Sequence, residues 1–158
     1  MAESVPPPPF RVLSREECDA LLTRNWVGRV AFVHGHRIDI VPVHYVLSHG
    51  VLCGRTAQGT RLEAASDNFY GAWPIAFEVD EVHALFEWSS VVVHGNLHAA
   101  VRGDAEWRRN PGDWEEAAEA FRSLVPTAFS DDDPTPFRTV VFRIDIVEVS
   151  GRAAVSGD

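Results

Sequence analysis

The segment from Gly54 to Ala64, GRTAQGTRLEA, gathers the parts of a phosphate site where a strand gives way to a helix. Arg55 and Arg61 supply cations, Thr56 and Thr60 supply hydroxyls, and Gly59 lets the backbone turn closely around a ligand. Thr60 to Glu63 has the spacing of a capping box, so a helix is expected to begin there with its unpaired N–H groups facing the turn. Cations, hydroxyls and N–H groups converging on a turn suit an anion. The same box also fits a surface helix flanked by solvated arginines, because the segment has neither the Walker lysine nor the dinucleotide glycine spacing.

The charge balance limits what that anion can be. A formal charge of −9 over 158 residues opposes binding to a long polyanion, which needs a broad basic surface, so no nucleic-acid partner is expected. One small phosphate in a local basic pocket remains compatible with it. At 46% hydrophobic and 23% charged residues the composition is that of one soluble globular domain. No apolar run approaches the roughly 20 residues that span a bilayer, and no basic-then-apolar leader opens the sequence; no membrane partner and a cytoplasmic location are the expectations. Cys18 and Cys53 lack CxxC spacing and are read as reduced thiols. His34 and His36 flank Gly35 in an expected hairpin turn, and His94 with His98 lie on one face of a strand with no acidic or cysteine partner at ligand spacing, so no metal is expected. No serine sits in a nucleophile elbow, and no catalytic residue is assigned.

The phosphate segment must be held by the elements around it. Residues 1–11 form a proline-rich arm, with Pro6 to Pro9 favouring an extended chain. Ser14 and Glu17 make a second capping box, opening a helix whose Cys18, Leu21 and Leu22 cover one end of the core as far as about Asn25. Strand patterns follow at Val27–Phe32, at 37–47 and at Val51–Thr56, the last delivering Arg55 and Thr56 to the turn. In the 37–47 strand both alternating faces are apolar, which predicts burial on both sides, and Pro42 marks an edge, a bulge or an opening in the sheet. A two-turn helix from Thr60 toward Asp67 is expected next. Pro74–Asp80 alternates with Ile75, Phe77 and Val79 inward, and Trp88–Val101 is a long strand that Gly95 can bend. Gly112–Val125 reads as an amphipathic helix through Trp114, Ala117, Ala118, Phe121 and Leu124. The Pro126–Phe137 loop, with three consecutive aspartates, is expected to be exposed, and a last strand places Val140, Phe142, Ile144 and Ile146 on one face. Six strands with few βαβ alternations point to an antiparallel barrel in a domain over 12–150, followed by a tail at 151–158.

In this order the motifs GRVAF (28–32), PVHYV (42–46), RTAQGTRL (55–62), AFEVD (76–80) and WSSVVVHG (88–95) resemble the pyridoxamine 5′-phosphate oxidase-like FMN-binding split barrels. The likeness is to the small bacterial branch that includes the nitroimidazole-resistance proteins. It implies a mainly β fold, a six-stranded antiparallel Greek-key split β-barrel with peripheral helices, and a homodimer with FMN at the subunit interface. Carried onto this chain, Pro42, Val43, His44 and Tyr45 would run beside the flavin ring, with His44 where the branch often has asparagine. Arg55, Thr56, Thr60 and Arg61 would hold the phosphate, Arg61 replacing a more frequent lysine, and Leu62 would follow them in the cofactor site. Trp88, Ser90 and Val91 would close it at the subunit boundary. The implied activity is an oxidoreductase passing hydride or electrons from a reduced nicotinamide, a transient partner, to a small acceptor. Alternatives are a non-enzymatic flavin storage or sensing module, or a split barrel that takes haem or a deazaflavin. Pyridoxamine phosphate oxidation itself is disfavoured, because the C-terminal strand region lacks the substrate-phosphate arginine and histidine motif of that enzyme; Arg138 and Arg143 stand there without it.

Overall fold

The computed structural model of the chain describes residues 10–57, 60–62, 73–101 and 111–154. Along them run β1 (Phe10–Val12), α1 (Arg15–Arg24), β2 (Val27–His34), β3 (Arg37–Ser48), β4 (Val51–Thr56), β5 (Trp73–Ala84), β6 (Glu87–Val101), α2 (Pro111–Arg122) and β7 (Val140–Ala154). The strand order β1-β7-β4-β3-β2-β5-β6, with β6 also paired to β7, closes six strands into a ring to which β1 is appended. All pairings are antiparallel. The strand count is therefore seven rather than six, because a three-residue strand such as β1 is too short to show a period.

β1 and the end of β7 also revise the expected ends of the domain. Phe10, Arg11 and Val12 pair with Ala154, Ala153 and Arg152, so Phe10 and Arg11 of the expected arm and 152–154 of the expected tail lie in the sheet. The proline run before Phe10, and the helix expected beyond Leu62, lie outside the described residues, as does the Trp114 side chain.

Period-2 alternation fills the barrel. Val30, Phe32, Val43, Tyr45, Leu52, Ile75, Phe77, Val79, Val91, Val93, Leu97, Phe142 and Ile144 point inward, and Leu21 and Leu22 of α1 plug one end. Both sides of the Ser14–Glu17 capping box are formed. The far end of α1 is tied to β5 by Arg24, whose Nε and Nη2 donate to Glu81 at 2.6 and 2.9 Å. α2 lies on the outside, with Ala117 and Ala118 against Cys53 of β4 and Val141 of β7. Glycine is required where strands approach closely. A Cβ on Gly28 would stand 2.2 Å from the Phe77 ring, and one on Gly54 would stand 2.4 Å from Phe142 and 2.7 Å from the His44 carbonyl.

The expectation that β3 is buried on both faces is not met. Ile38 and Ile40 are 82% and 65% exposed, while Asp39, Val43 and Tyr45 on the alternate face are buried. Apolar residues on both faces of a strand do not distinguish a second covering layer from an exposed apolar surface. Pro42 sits where the sheet opens: β3 pairs with β2 from Arg37 to His44 but with β4 only from Tyr45 onward. The Tyr45 N–H donates toward β2, to the Trp26 carbonyl at 2.9 Å. Alternation then turns the Pro42 nitrogen to the open side, so its missing donor costs no ladder bond.

Gly28→Ala should lower unfolding free energy by about 1–3 kcal/mol, since the added methyl overpacks against a fully buried ring. Urea denaturation tests this; an unchanged midpoint would mean that Phe77 moves aside without cost.

Candidate functional site

Consecutive strand residues face opposite ways, and that rule divides the residues of the phosphate segment. In β4, Cys53 and Arg55 turn toward α2, and Thr56 turns the other way. Arg55 Nη1 and Nη2 donate to the two carboxylate oxygens of Asp133 at 2.6 and 2.8 Å, and Nη2 also reaches Thr135 Oγ1. The guanidinium carbon lies 5.2 Å from the Phe121 ring centre and 5.0 Å from that of Phe129. Both charged side chains are 2% exposed. The Arg55 guanidinium is thus engaged with Asp133 on the α2 side of β4, apart from the turn where it was expected to hold a phosphate.

Thr56, Thr60 and Arg61 remain together at the turn. The Thr56 and Thr60 hydroxyls are 3.3 Å apart, and Thr60 Oγ1 donates to the Ala57 carbonyl at 3.0 Å. Arg61, 61% exposed at its side chain, donates through Nη1 to Asp39 Oδ1 at 2.9 Å. Asp39 comes from the inward face of β3 and is 9% exposed, with Arg37 also 3.8 Å from it. A nearly buried carboxylate orients a cation whose remaining surface faces solvent. This arrangement can receive an anion through a guanidinium and two hydroxyls.

The PVHY motif divides in the same way. Pro42 and His44 are exposed on the outer face of β3, while Val43 and Tyr45 belong to the core. Tyr45 donates its hydroxyl to the Leu22 carbonyl at 2.7 Å and packs edge-on to Phe77. Burial raises its phenol well above the ordinary range. Leu62 and Val91 are likewise core residues at 3% and 0% exposure. The side chains of Val43, Tyr45, Leu62 and Val91 fill the core and do not reach the outer face, so of these four only the main chain is open to an outer ligand.

Trp88 and Ser90 do lie on the outer face. Trp88 stacks on Phe10 with ring centres 5.6 Å apart, and Ser90 lies 3.4 Å from Glu78. Between them and the Pro42–His44 surface, Arg29 spans β2 to β5, meeting Glu78 at 2.7 Å and Asp80 at 3.0 Å. β2 and β5 separate β3 from β6, so within one chain these groups stand three strand spacings apart, roughly 14 Å.

Elsewhere, a cleft of about 880 Å³ opens between α2, the β3–β4 hairpin and β7, with Cys53, His49, Glu116 and Arg143 in its lining. It lies on the α2 side of β4, away from the Thr56–Arg61 turn. Burial pushes the Cys53 thiol up to about 11, which leaves it a poor nucleophile near neutral pH. His98 is paired with Asp145 at 3.1 Å, and among the described residues no three His, Cys, Asp or Glu side chains converge as metal ligands. No helix among them is long and apolar enough to cross a membrane.

Two partners escaped the sequence reading. Asp39 left a signal, an acid sharing strand parity with Val41, Val43 and Tyr45. Asp133 left none, since nothing local separates it from Asp131 and Asp132, which are exposed. The loop expected to be exposed is anchored by that one carboxylate and by the buried Ala128.

Comparison with known proteins agrees with this architecture. Residues 14–153 match the family model described as pyridoxamine 5′-phosphate oxidase. A solved FAD-binding protein from Mesorhizobium loti is 28% identical, with a TM-score of 0.70 over 92% of this chain and 99% of that one. An FAD binding protein from Mycobacterium smegmatis, 24% identical with a TM-score of 0.64 over 90% and 99% of the two chains, shares the fold. An uncharacterized protein of Rhizobium meliloti (strain 1021) is 25% identical over 94% of this chain and 97% of its own length.

The Arg55–Asp133 pair makes a testable contribution to stability. Hydrogen bonding by Arg55, aided by the N–H groups of Phe129 and Thr135, holds the Asp133 carboxyl well below the usual carboxylate range against the opposing effect of burial. A lowered folded-state value means that the contribution is complete above the unfolded value of about 3.9 and is lost as pH falls through the folded one. Asp133→Asn should therefore cost about 3–5 kcal/mol near neutral pH, and its deficit relative to wild type should shrink below about pH 4. Urea unfolding at about pH 7 and about pH 3 measures both effects.

Proposed function

Because the chain belongs to the pyridoxamine 5′-phosphate oxidase family, we propose that it binds a flavin nucleotide, FMN, and uses it to pass hydride or electrons from a reduced nicotinamide to a small oxidised acceptor. The observation that carries this reading is the grouping of Thr56, Thr60 and Arg61 at a turn joined through Asp39 to the strand that exposes Pro42 and His44. Asp39 lies roughly 10 to 17 Å along β3 from those two residues and on the strand's inward face, so a bound nucleotide would carry its phosphate and its ring to opposite faces of β3. Two hydroxyls and an oriented guanidinium fit a phosphate monoester; an exposed proline and imidazole fit the flank of a planar ring.

Bound there, the flavin would supply the redox chemistry, and the protein would supply binding and orientation. Thr56, Thr60 and Arg61 hold the phosphate, while Asp39 keeps Arg61 aimed and lowers the net positive charge beside it. Pro42 and His44 flank the ring. A second copy of the chain brings its Trp88 and Ser90 to the same ring, which removes the roughly 14 Å separation found within one chain. The exposed Val33, Ile38 and Ile40, at 58%, 82% and 65%, supply an apolar surface for that homodimer beside the site. FAD is the second reading, favoured by the 28%-identical Mesorhizobium loti protein described as FAD-binding. Chromatography of the nucleotide released from purified protein separates FMN from FAD, and its absorbance separates both from haem and deazaflavin. Rapid bleaching by reduced nicotinamide, then reoxidation by an acceptor, distinguishes turnover from storage.

Arg61→Ala should weaken FMN about tenfold or more and leave riboflavin, which lacks the phosphate, within about twofold. Fluorescence titration with the two ligands reads both affinities; equal losses would assign Arg61 a structural role. Diluting the protein until the dimer separates should release the flavin in parallel, as followed by sedimentation at the flavin absorbance. A fully loaded monomer would remove the shared site.

A further inference from the structure

Arg55 and Thr56 form the last rungs of the β4–β7 ladder, paired with Val141 and Val140, before the chain leaves the sheet for the turn carrying Thr60 and Arg61. The position of that turn depends on how firmly this end of β4 is fixed. One residue earlier, Gly54 is wedged between the Phe142 ring and the His44 carbonyl. Arg55 then leaves the opposite face of the strand and is gripped at both terminal nitrogens by Asp133.

Asp133 is itself fixed. Its Oδ2 accepts the Phe129 N–H at 2.8 Å, and its Oδ1 accepts the Thr135 N–H at 2.9 Å. Phe129 adopts φ of 65°, in the left-handed region that a bulky side chain rarely occupies, and its ring covers the guanidinium. The loop thus accepts an unfavourable backbone conformation in forming the grip. Stability alone does not require this chemistry, because an apolar pair of similar volume commonly does as well in a core. A bidentate ion pair adds what an apolar contact lacks, one defined orientation between two segments.

We propose that Arg55 and Asp133 are positioning residues: a clamp on the α2 side of β4 that sets the geometry of the Thr56, Thr60 and Arg61 phosphate turn on the other side, without touching the ligand. The proposal rests on the flavin-phosphate reading and assigns the clamp to the phosphate end of the ligand, leaving the ring contacts of Pro42 and His44 unaffected.

The test compares FMN with riboflavin on the full-length protein. Asp133→Asn should weaken FMN by about tenfold while changing riboflavin by less than about twofold, because the turn shifts and the ring surface stays. Thr135→Val, which removes the hydroxyl beside Arg55 but keeps the ion pair, should give the same selective loss in smaller measure, about threefold, and serves where Asp133→Asn does not fold. Retained FMN affinity in a folded variant would overturn the clamp, and so would equal losses of both flavins, which mark general destabilisation. Wild-type protein that binds neither flavin would overturn the flavin reading, and the clamp's phosphate role with it. Wild-type binding of FMN with unaltered variants removes the clamp alone.

Discussion

Closure of the ring by β7 is the constraint on which the rest of the structure depends. Fifteen residues long, β7 pairs with β6 from Val140 to Ala154, while its other edge serves β4 at Val140–Asp145 and β1 at Arg152–Ala154. One strand therefore joins the two ends of the sheet and holds the chain's first described strand. The register shift between His94 and Gly95 lets the long pair bend, and Gly95 is needed there because a Cβ would stand 2.3 Å from the Asp145 carbonyl oxygen. Without that closure the inward residues of β4 and β6 would have no shared interior, and the turn after Thr56 would have no fixed base.

The same period-2 geometry that fills the barrel decides which sequence motifs can act together. It was legible for the elements: β4 follows from the turn residues before it, the inward sets of β5 and β7 follow from alternation, and the α1 capping box forms as its spacing implies. The site was less legible because a motif is a line of text whereas a strand has two sides. Arg55 and Thr56 are neighbours in sequence yet address opposite faces, and so do His44 and Tyr45. Applying strand parity before grouping residues would have separated these pairs. No parity argument locates Asp133, whose partner is 78 residues away and whose loop has no repeating pattern.

Charge is distributed according to the same division. The Arg55–Asp133 pair is enclosed by aromatic rings, where each ion depends on the other and loss of either leaves an uncompensated charge. Arg61–Asp39 is asymmetric, a nearly buried carboxylate holding an exposed cation, so the arginine can gain a second anionic partner without leaving the first. Arg29, shared between Glu78 and Asp80 on the outer face, is half-exposed and screened by solvent. Three arginine–carboxylate contacts of similar length thus differ in effect because their surroundings differ.

Pro42 has a further effect, on association. Among the described residues β3 is paired on one side only from Arg37 to His44, and a strand with an open side can recruit an extended segment from any chain that meets it. The proline nitrogen points to that side and has no hydrogen to offer, so a strand docking there would meet a gap in the middle of its ladder. Where that edge meets another chain, the proline discourages the open-ended strand addition that leads to fibrils.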